Sequence, residues 1–194
     1  ASCLAATIRP AQRDRPDNRL VATASPGFKA RGFNQTTEPD APYDPEKITA
    51  FEAGYKYASR ALTFNRSSYY YDYKDQQITA NQDVNGLPQS VLQNAAKSHI
   101  YGVDADVRYQ FTDRFQVNLG GSWNHARYKS FPNSPFYLEN MTTHAFTVTT
   151  IDASGGHMSR APDFSGTAQA TYTLDVAGGH LDLSGNVSYS SKFY

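Results

Sequence analysis

The chain has 194 residues, enough for one domain with a respectable core, and its 18 basic side chains balance 18 acidic ones. That balance leaves no electrostatic footprint for wrapping nucleic acid, so such a partner is not expected. Only 39% of residues are hydrophobic and mean hydropathy is −0.61, yet 14 Tyr and 11 Phe are present; with no apolar window of about 18 residues, a helical membrane protein is excluded.

Residues 1–17 show no clear period, and Arg9, Arg13 and Arg15 with Pro10 and Pro16 read as an irregular segment. Cys3 is the only cysteine, so neither a disulfide framework nor a thiolate metal site can form within the chain. No charged stretch followed by an apolar one opens the sequence; an exported protein needs such a signal, so it has been removed or the natural start lies elsewhere.

A short strand is predicted over 20–25, then a break at Pro26-Gly27 and a loop carrying Gly32, Pro39, Pro42 and Pro45. From Thr49 the chain alternates, with Phe51, Ala53, Tyr55 and Tyr57 on one face and Ala50, Glu52, Gly54 and Lys56 on the other. A turn at Ser59-Arg60 leads into 61–78, where Leu62 and Phe64 take one parity and Tyr69, Tyr71 and Tyr73 the other. The facing stays open there; a β-bulge would reconcile the two sets. A polar stretch over 80–96 holds the turn signals Asn85-Gly86 and Pro88.

The clearest signal lies at 97–111, where Tyr101, Val103, Ala105, Val107, Tyr109 and Phe111 alternate with Gly102, Asp104, Asp106, Arg108 and Gln110. Strands of soluble domains usually have about 5 to 6 residues; this one runs to about fifteen, with one greasy and one wet face, as in a wall between lipid and water. After a turn at Thr112-Asp113-Arg114, Phe115, Val117, Leu119, Gly121 and Trp123 alternate as a hairpin partner. A long connection over 129–162 includes a β-prone stretch, 146–151, that reads as an extra hairpin. Phe164 to Leu174 and Leu181 to Tyr189 then form a last pair around Ala177-Gly178-Gly179.

Short turns thus alternate with connections of about 17 to 35 residues, the asymmetry of an outer-membrane barrel. The fold class expected is all-β, an antiparallel transmembrane meander. About seven strands are counted, whereas bacterial single-chain barrels have even numbers and a bilayer tolerates no unpaired edges, so a piece of a larger barrel is expected.

Several motifs carry a family resemblance. Gly27-Phe28-Lys29-Ala30-Arg31-Gly32-Phe33-Asn34, then Tyr43-Asp44-Pro45-Glu46-Lys47 and Phe51-Glu52-Ala53-Gly54-Tyr55-Lys56, resemble a strand, loop and strand in the C-terminal half of TonB-dependent outer-membrane receptors. Tyr70-Tyr71-Asp72-Tyr73-Lys74-Asp75-Gln76-Gln77, Asn94-Ala95-Ala96-Lys97 and Tyr101-Gly102-Val103-Asp104-Ala105-Asp106 resemble later motifs of that family, in the right order. One departure is Ser25-Pro26-Gly27, where the family usually has a basic residue between Ser and Gly. The resemblance implies that 18–194 is part of a barrel of about 22 strands in the Gram-negative outer membrane, in contact with its lipid. It implies import of a scarce nutrient (a ferric siderophore, cobalamin or glycan), energised by TonB and the inner-membrane complex through a plug. Plug, energy-coupling box and final strands are expected outside this chain, which alone transports nothing. Two other readings stay open: a complete small barrel acting as a porin or structural anchor, and a soluble β-sandwich with an adhesive function, which requires Phe51, Tyr55, Val103, Val107, Val117 and Leu119 to face one interior.

No enzyme is expected. Asp104 and Asp106 lie two apart on one strand without complementary ligands or an acid/base environment, and no Gly-x-Ser-x-Gly elbow or phosphate loop occurs. His99, His125, His144, His157 and His180 show no metal-ligand spacing, so neither metal nor cofactor is expected. Glu52, Lys56, Asp104, Asp106 and Arg108 are expected to face a wet lumen, chiefly as solvated wall residues. Tyr128, Phe136, Tyr137, His144 and His157, in or beside the long loop, are candidates for contact with an aromatic or sugar-like ligand, ordinary loop polarity being the plainer reading. Tyr69, Tyr70, Tyr71, Tyr73, Tyr101 and Trp123 are read as an interfacial aromatic girdle. Four Asn-x-Ser/Thr triplets have no meaning in a bacterial barrel.

Overall fold

Alternation becomes pairing along most of the chain. A computed structural model describes residues 4–8, 17–34, 41–84, 87–139, 141 and 146–193. The strands are β1 (Leu4–Ile8), β2 (Asp17–Lys29), β3 (Gly32–Asn34), β4 (Ala41–Tyr43), β5 (Glu46–Ala58) and β6 (Leu62–Val84). They continue with β7 (Leu87–Thr112), β8 (Phe115–Ser130), β9 (Ser134–Glu139), β10 (Phe146–Ile151), β11 (Phe164–Val176) and β12 (Gly179–Ser190). Eight of them form one antiparallel sheet in the order β1-β2-β5-β6-β7-β8-β11-β12, and β3-β4 and β9-β10 are separate two-stranded ribbons.

The sheet is a single layer. Among the described residues the only buried apolar side chains are Val91, Ala126 and Phe131, whereas Leu20, Phe51, Leu119, Trp123, Phe164 and Val187 stand exposed. Val103, Val107 and Val117 are shielded only partly. Among the described residues no second sheet covers them, so the sandwich reading fails.

Direct cross-strand partners share a face. Phe51, Tyr70 and Tyr101 therefore lie on the same side as Trp123 and Phe164, and Ala53, Ser68, Val103 and Leu119 follow them. Aromatic rings mark two rows on this apolar face. One runs through Tyr70, Tyr101 and Trp123, with centroids 6.5 and 5.8 Å apart. The other, near the short turns, includes the contacts Tyr109 to Phe111 at 4.6 Å, Phe111 to Phe115 at 5.3 Å and Phe115 to Tyr172 at 6.4 Å. From Tyr101 to Phe111 the strand climbs about 33 Å at ~3.3 Å per residue, or about 25 Å along the axis of a barrel tilted by ~40°. That is the height of the apolar band of an outer-membrane barrel.

Four expectations are corrected in detail. β2 runs straight through Pro26 and Gly27, because among the described residues β1 pairs only Leu20 to Ala24 and leaves β2 an edge beyond, where a missing N–H is tolerated. Within the segment read as irregular, Leu4–Ile8 is a strand on β2, which itself opens at Asp17. The polar stretch over 80–96 belongs to a hairpin whose ladder continues to Val84 opposite Leu87, across the Asn-Gly pair. In β6 the register is unbroken from Leu62 to Tyr73, so no bulge separates the two aromatic sets. Leu62, Phe64 and Tyr70 face the apolar side, and Tyr69, Tyr71 and Tyr73 the polar side, outside the girdle. The bulge comes later, around Asp75, whose φ of 53° is the left-handed kink that re-aims the strand.

Above that kink the β6-β7 ribbon is buttressed by the preceding loop. Asn34 Nδ2 donates to the Leu92 carbonyl at 2.7 Å and Asn34 Oδ1 accepts the Leu92 N–H at 2.8 Å, so one amide stands in for a ladder residue. Buried Gln77 donates through Nε2 to the carbonyls of Ala30 and Asp44, both at 2.9 Å, and its N–H to Glu46 Oε2 at 2.8 Å.

Ala168 and Gln169 are neighbours in sequence on opposite faces, with Ala168 midway between Phe164 and Tyr172. In the full-length protein folded into lipid vesicles, Ala168→Arg is expected to cost about 2–4 kcal/mol by urea titration. Gln169→Arg should stay within about 0.5 kcal/mol.

Candidate functional site

The polar face gathers the predicted wall residues. Glu52 lies opposite Tyr69, and the row Lys56, Asn65, Asp106 crosses β5, β6 and β7, with Asp104 and Arg108 on the same side. They do not form a charge ladder. Lys56 and Asp106 sit two strands apart, about 10 Å at the ~4.8 Å strand spacing, and among the described residues no ion pair joins the five. Each is satisfied, where partners are seen, by neutral groups: Ser122 Oγ donates to Asp104 Oδ1 at 2.6 Å, and Arg108 Nε and Nη2 donate to Gln116 Oε1 at 3.0 and 2.7 Å.

Higher on this face lies a tyrosine shelf. Tyr69 and Tyr71 stack at 5.2 Å, Tyr71 donates to Glu52 Oε1 at 2.6 Å, and Tyr69 donates to Asn124 Oδ1 at 3.3 Å. Gly102 makes the shelf possible, since a Cβ there would collide with the Tyr69 ring and the Trp123 carbonyl. With Tyr73 and Asp104 these groups border an open hollow of about 490 Å³. Its hydroxyls, amides and carboxylates suit hydrogen bonding to a polar surface. The aromatic signal was visible in the sequence; its facing was not.

The loop candidates do not converge. Phe136 and Tyr137 are adjacent on β9 and point to opposite sides of the β9-β10 ribbon, 43% and 42% exposed. Phe136 shares its side with exposed Leu138 and Ile151. Tyr128 packs at 5.0 Å on the buried ring of Phe131 at the ribbon's foot. His144 lies outside the described residues. His157 belongs to a strap that runs back along β8, bridged to Arg127.

That strap was missed from sequence. Gly155 and Tyr128 are joined by the Gly155 N–H at 2.7 Å, Gly156 accepts from Tyr128 N–H at 3.0 Å, and Met158 N–H reaches the Ala126 carbonyl at 3.1 Å. Phe131 N–H is held by Ser154 Oγ at 2.8 Å, and Asp152 Oδ1 accepts from Ser154 N–H at 2.9 Å. An Asp-x-Ser signal hints at this last turn. Nothing local announces the clamp at its end, where Arg127 Nη1 meets Asp163 Oδ1 at 3.1 Å and His157 Nδ1 stands 3.8 Å from Asp163 Oδ2. The hydrogen bond from the Arg127 guanidinium holds the Asp163 carboxyl below its ordinary range, the charges of Arg127, His157 and His125 adding to it against some desolvation.

The family model described as TonB dependent receptor-like, beta-barrel matches residues 14–194. The chain belongs to that family. Its sequence is 26% identical over 109 residues to the pesticin receptor of Yersinia pestis, covering 55% of this chain and 16% of the receptor. In fold it resembles the ferric yersiniabactin uptake receptor FyuA from Yersinia pestis, with TM-score 0.71 and 18% identity over 99% of this chain and 26% of that one. BauA, the ferric preacinetobactin receptor from Acinetobacter baumannii, gives TM-score 0.63 and 16% identity over 98% of this chain and 26% of that one. The chain thus spans about a sixth of the curated relatives it matches. It is a segment of a TonB-dependent receptor barrel, a family of receptors of the Gram-negative outer membrane and not of enzymes. Barrels of the outer membrane in general turn an apolar face to lipid and a polar face to the lumen, with their short turns on the periplasmic side.

Because the Asp163 pKa is depressed, the stability it lends to the strap is fully present above the ordinary carboxylate pKa and is lost as pH falls through the lowered value. Amide exchange at 154–156, normalised for intrinsic rate, is expected to stay slow from pH 7 to about 4 and to rise severalfold below it. Asp163→Asn should exchange fast at pH 7 as well.

Proposed function

We propose that the receptor containing this chain imports a ferric siderophore across the outer membrane. The single-layer sheet with a ring-bordered apolar band supports a membrane wall, and the two structural relatives, the ferric yersiniabactin uptake receptor and the ferric preacinetobactin receptor, favour iron chelates over cobalamin or glycans. The observation that carries the reading is the family match over 14–194 together with those relatives.

In this reading the β9-β10 ribbon and its foot meet the ligand outside the cell. Phe136 and Tyr137 offer exposed rings to apolar or aromatic parts of a chelate, with Tyr128 and His157 around the base of the same loop; His144 joins them from its place in the sequence alone. The tyrosine shelf with Glu52 and Asp104 borders the lumen and meets the plug; Lys56, Asp106 and Arg108 line the wall below. The plug transmits the pull of periplasmic TonB, energised from the inner membrane, and its rearrangement opens the path. Binding by the outer loops is the half of this cycle in which the present residues take part. Residues 18–194 are assigned to the barrel as one domain, its wall strands and the loops between them.

The test is uptake of labelled iron by iron-starved cells carrying the full-length receptor or a deletion. Loss of growth on one ferric siderophore upon deletion is expected; unchanged iron uptake with lost cobalamin or glycan uptake overturns the cargo. Replacing Phe136 and Tyr137 together by Ala should raise the Kd for that siderophore about tenfold, in the range of an interface aromatic, and leave barrel folding unchanged by gel mobility without heating.

A further inference from the structure

Three lysines stand in one row on the apolar side, beyond the aromatic row. Lys47 on β5 and Lys74 on β6 are direct cross-strand partners, and Phe51 and Tyr70, four residues away along the same two strands, share their face. One position past the Tyr73–Ser98 pair, Lys74 and Lys97 leave the β6-β7 ladder together, Lys97 keeping the parity of His99 and Tyr101. All three side chains are exposed, and among the described residues none of them has an ion-pair partner.

Such a row carries a cost. Like charges directly opposite each other destabilise a sheet. Lysines also guard exposed sheet edges, but β5, β6 and β7 are each paired on both sides and have no edge to guard. The acid nearest the row on this side, Asp72, sits opposite His99 one row below and does not balance three ammonium groups. The remaining charge is open to an anion from outside the chain.

The ladder fixes the depth of the row. From Phe51 to Lys47 and from Tyr70 to Lys74 the strands climb about 13 Å at ~3.3 Å per residue, or about 10 Å along the axis of a barrel tilted by ~40°. The climb leads away from the short turns that follow Ala58 and Thr112, hence toward the outer side in the orientation of the proposed function. Aromatic rings mark the border of the hydrocarbon, and a lysine stem lies over apolar surface while its ammonium stays among polar groups. The row is thus level with the headgroups of the outer leaflet. The wall beside and beneath it is apolar and open, with Phe28, opposite Lys47, 72% exposed and Phe51 50% exposed. A cationic row above an exposed apolar wall fits an amphiphile with more than one negative charge, its phosphates above and its chains below.

We propose that Lys47, Lys74 and Lys97 bind the phosphorylated glycolipid of the outer leaflet, with the sugar-borne phosphates at the three ammonium groups and the acyl chains against Phe51 and Tyr70. Each ammonium has three donors to direct at phosphate oxygens, in charge-assisted bonds. Phosphates spread along the row also relieve the repulsion between Lys47 and Lys74. The inference rests on the membrane placement proposed above and not on the cargo.

The test uses the full-length receptor, stripped of lipid in detergent and titrated with bisphosphorylated lipid A or its dephosphorylated form, bound lipid being counted by native mass spectrometry. The bisphosphorylated form is expected to be retained about fivefold better or more. Combining Lys47→Gln, Lys74→Gln and Lys97→Gln should lower its retention about tenfold through the lost charge-assisted bonds, and the three corresponding Lys→Arg changes much less; gel mobility without heating checks that each variant is folded. Equal retention by wild type and the Gln variant, or no preference between the two lipids, overturns the proposal. So does full displacement of the lipid by inorganic phosphate, which would make the row a site for the free anion. Labelled-iron uptake run in parallel separates the readings: lipid retained without iron uptake faults the cargo alone, and uptake without lipid retention faults this site alone.

Discussion

Hydrocarbon accepts no hydrogen bonds, so every backbone N–H and C=O inside the apolar band has to find its partner in the ladder. The positions of the irregularities show this constraint at work. Register shifts fall between Tyr73 and Gln77, between Lys97 and Ser98, and between Gln110 and Thr112, all at or beyond the aromatic rows. Between Tyr101 and Tyr109 the pairing with both neighbours is unbroken. A one-residue slip there would turn Val103 and Val107 into the lumen and Asp104 and Asp106 into lipid.

With parity locked, side-chain chemistry sorts by height and face. Midway between the rings the apolar face is made mostly of small or aliphatic groups such as Ala105, Leu119, Ala168 and Gly185, with Arg66 opposite Ala105 as the exception. Rings that combine apolar bodies with polar edges take the borders, where both kinds of solvent meet. On the polar face short polar chains satisfy one another across strands, as Thr171 with Ser184 at 3.1 Å and Thr173 with Asp182 at 2.6 Å. At the last short turn Asp175 holds Arg114 and His180 together.

What the sequence disclosed follows from the same sorting. Wherever one face met lipid and the other water, as over 97–111 and 115–123, a period of two was written into the residues. Tyrosine broke the signal in β6, because a phenol is at home on either side and Tyr69, Tyr70 and Tyr71 give no contrast. The sequence over 80–96 carries no period of two, so it read as loop. Glu52, Lys56, Asp104, Asp106 and Arg108 share one face of the sheet, which strand parity alone decides. The clamp of Arg127 on Asp163 spans 36 residues and depends on a chain reversal that no local pattern encodes.

The buttressed β6-β7 ribbon also determines what a visitor to the cell meets. From Gln76 to Val84 it extends about 26 Å along its own axis, at ~3.3 Å per residue, and Asn34 and Gln77 brace it at the root. In the orientation proposed here, whatever approaches the outer end of this wall meets a braced ribbon and not a slack loop.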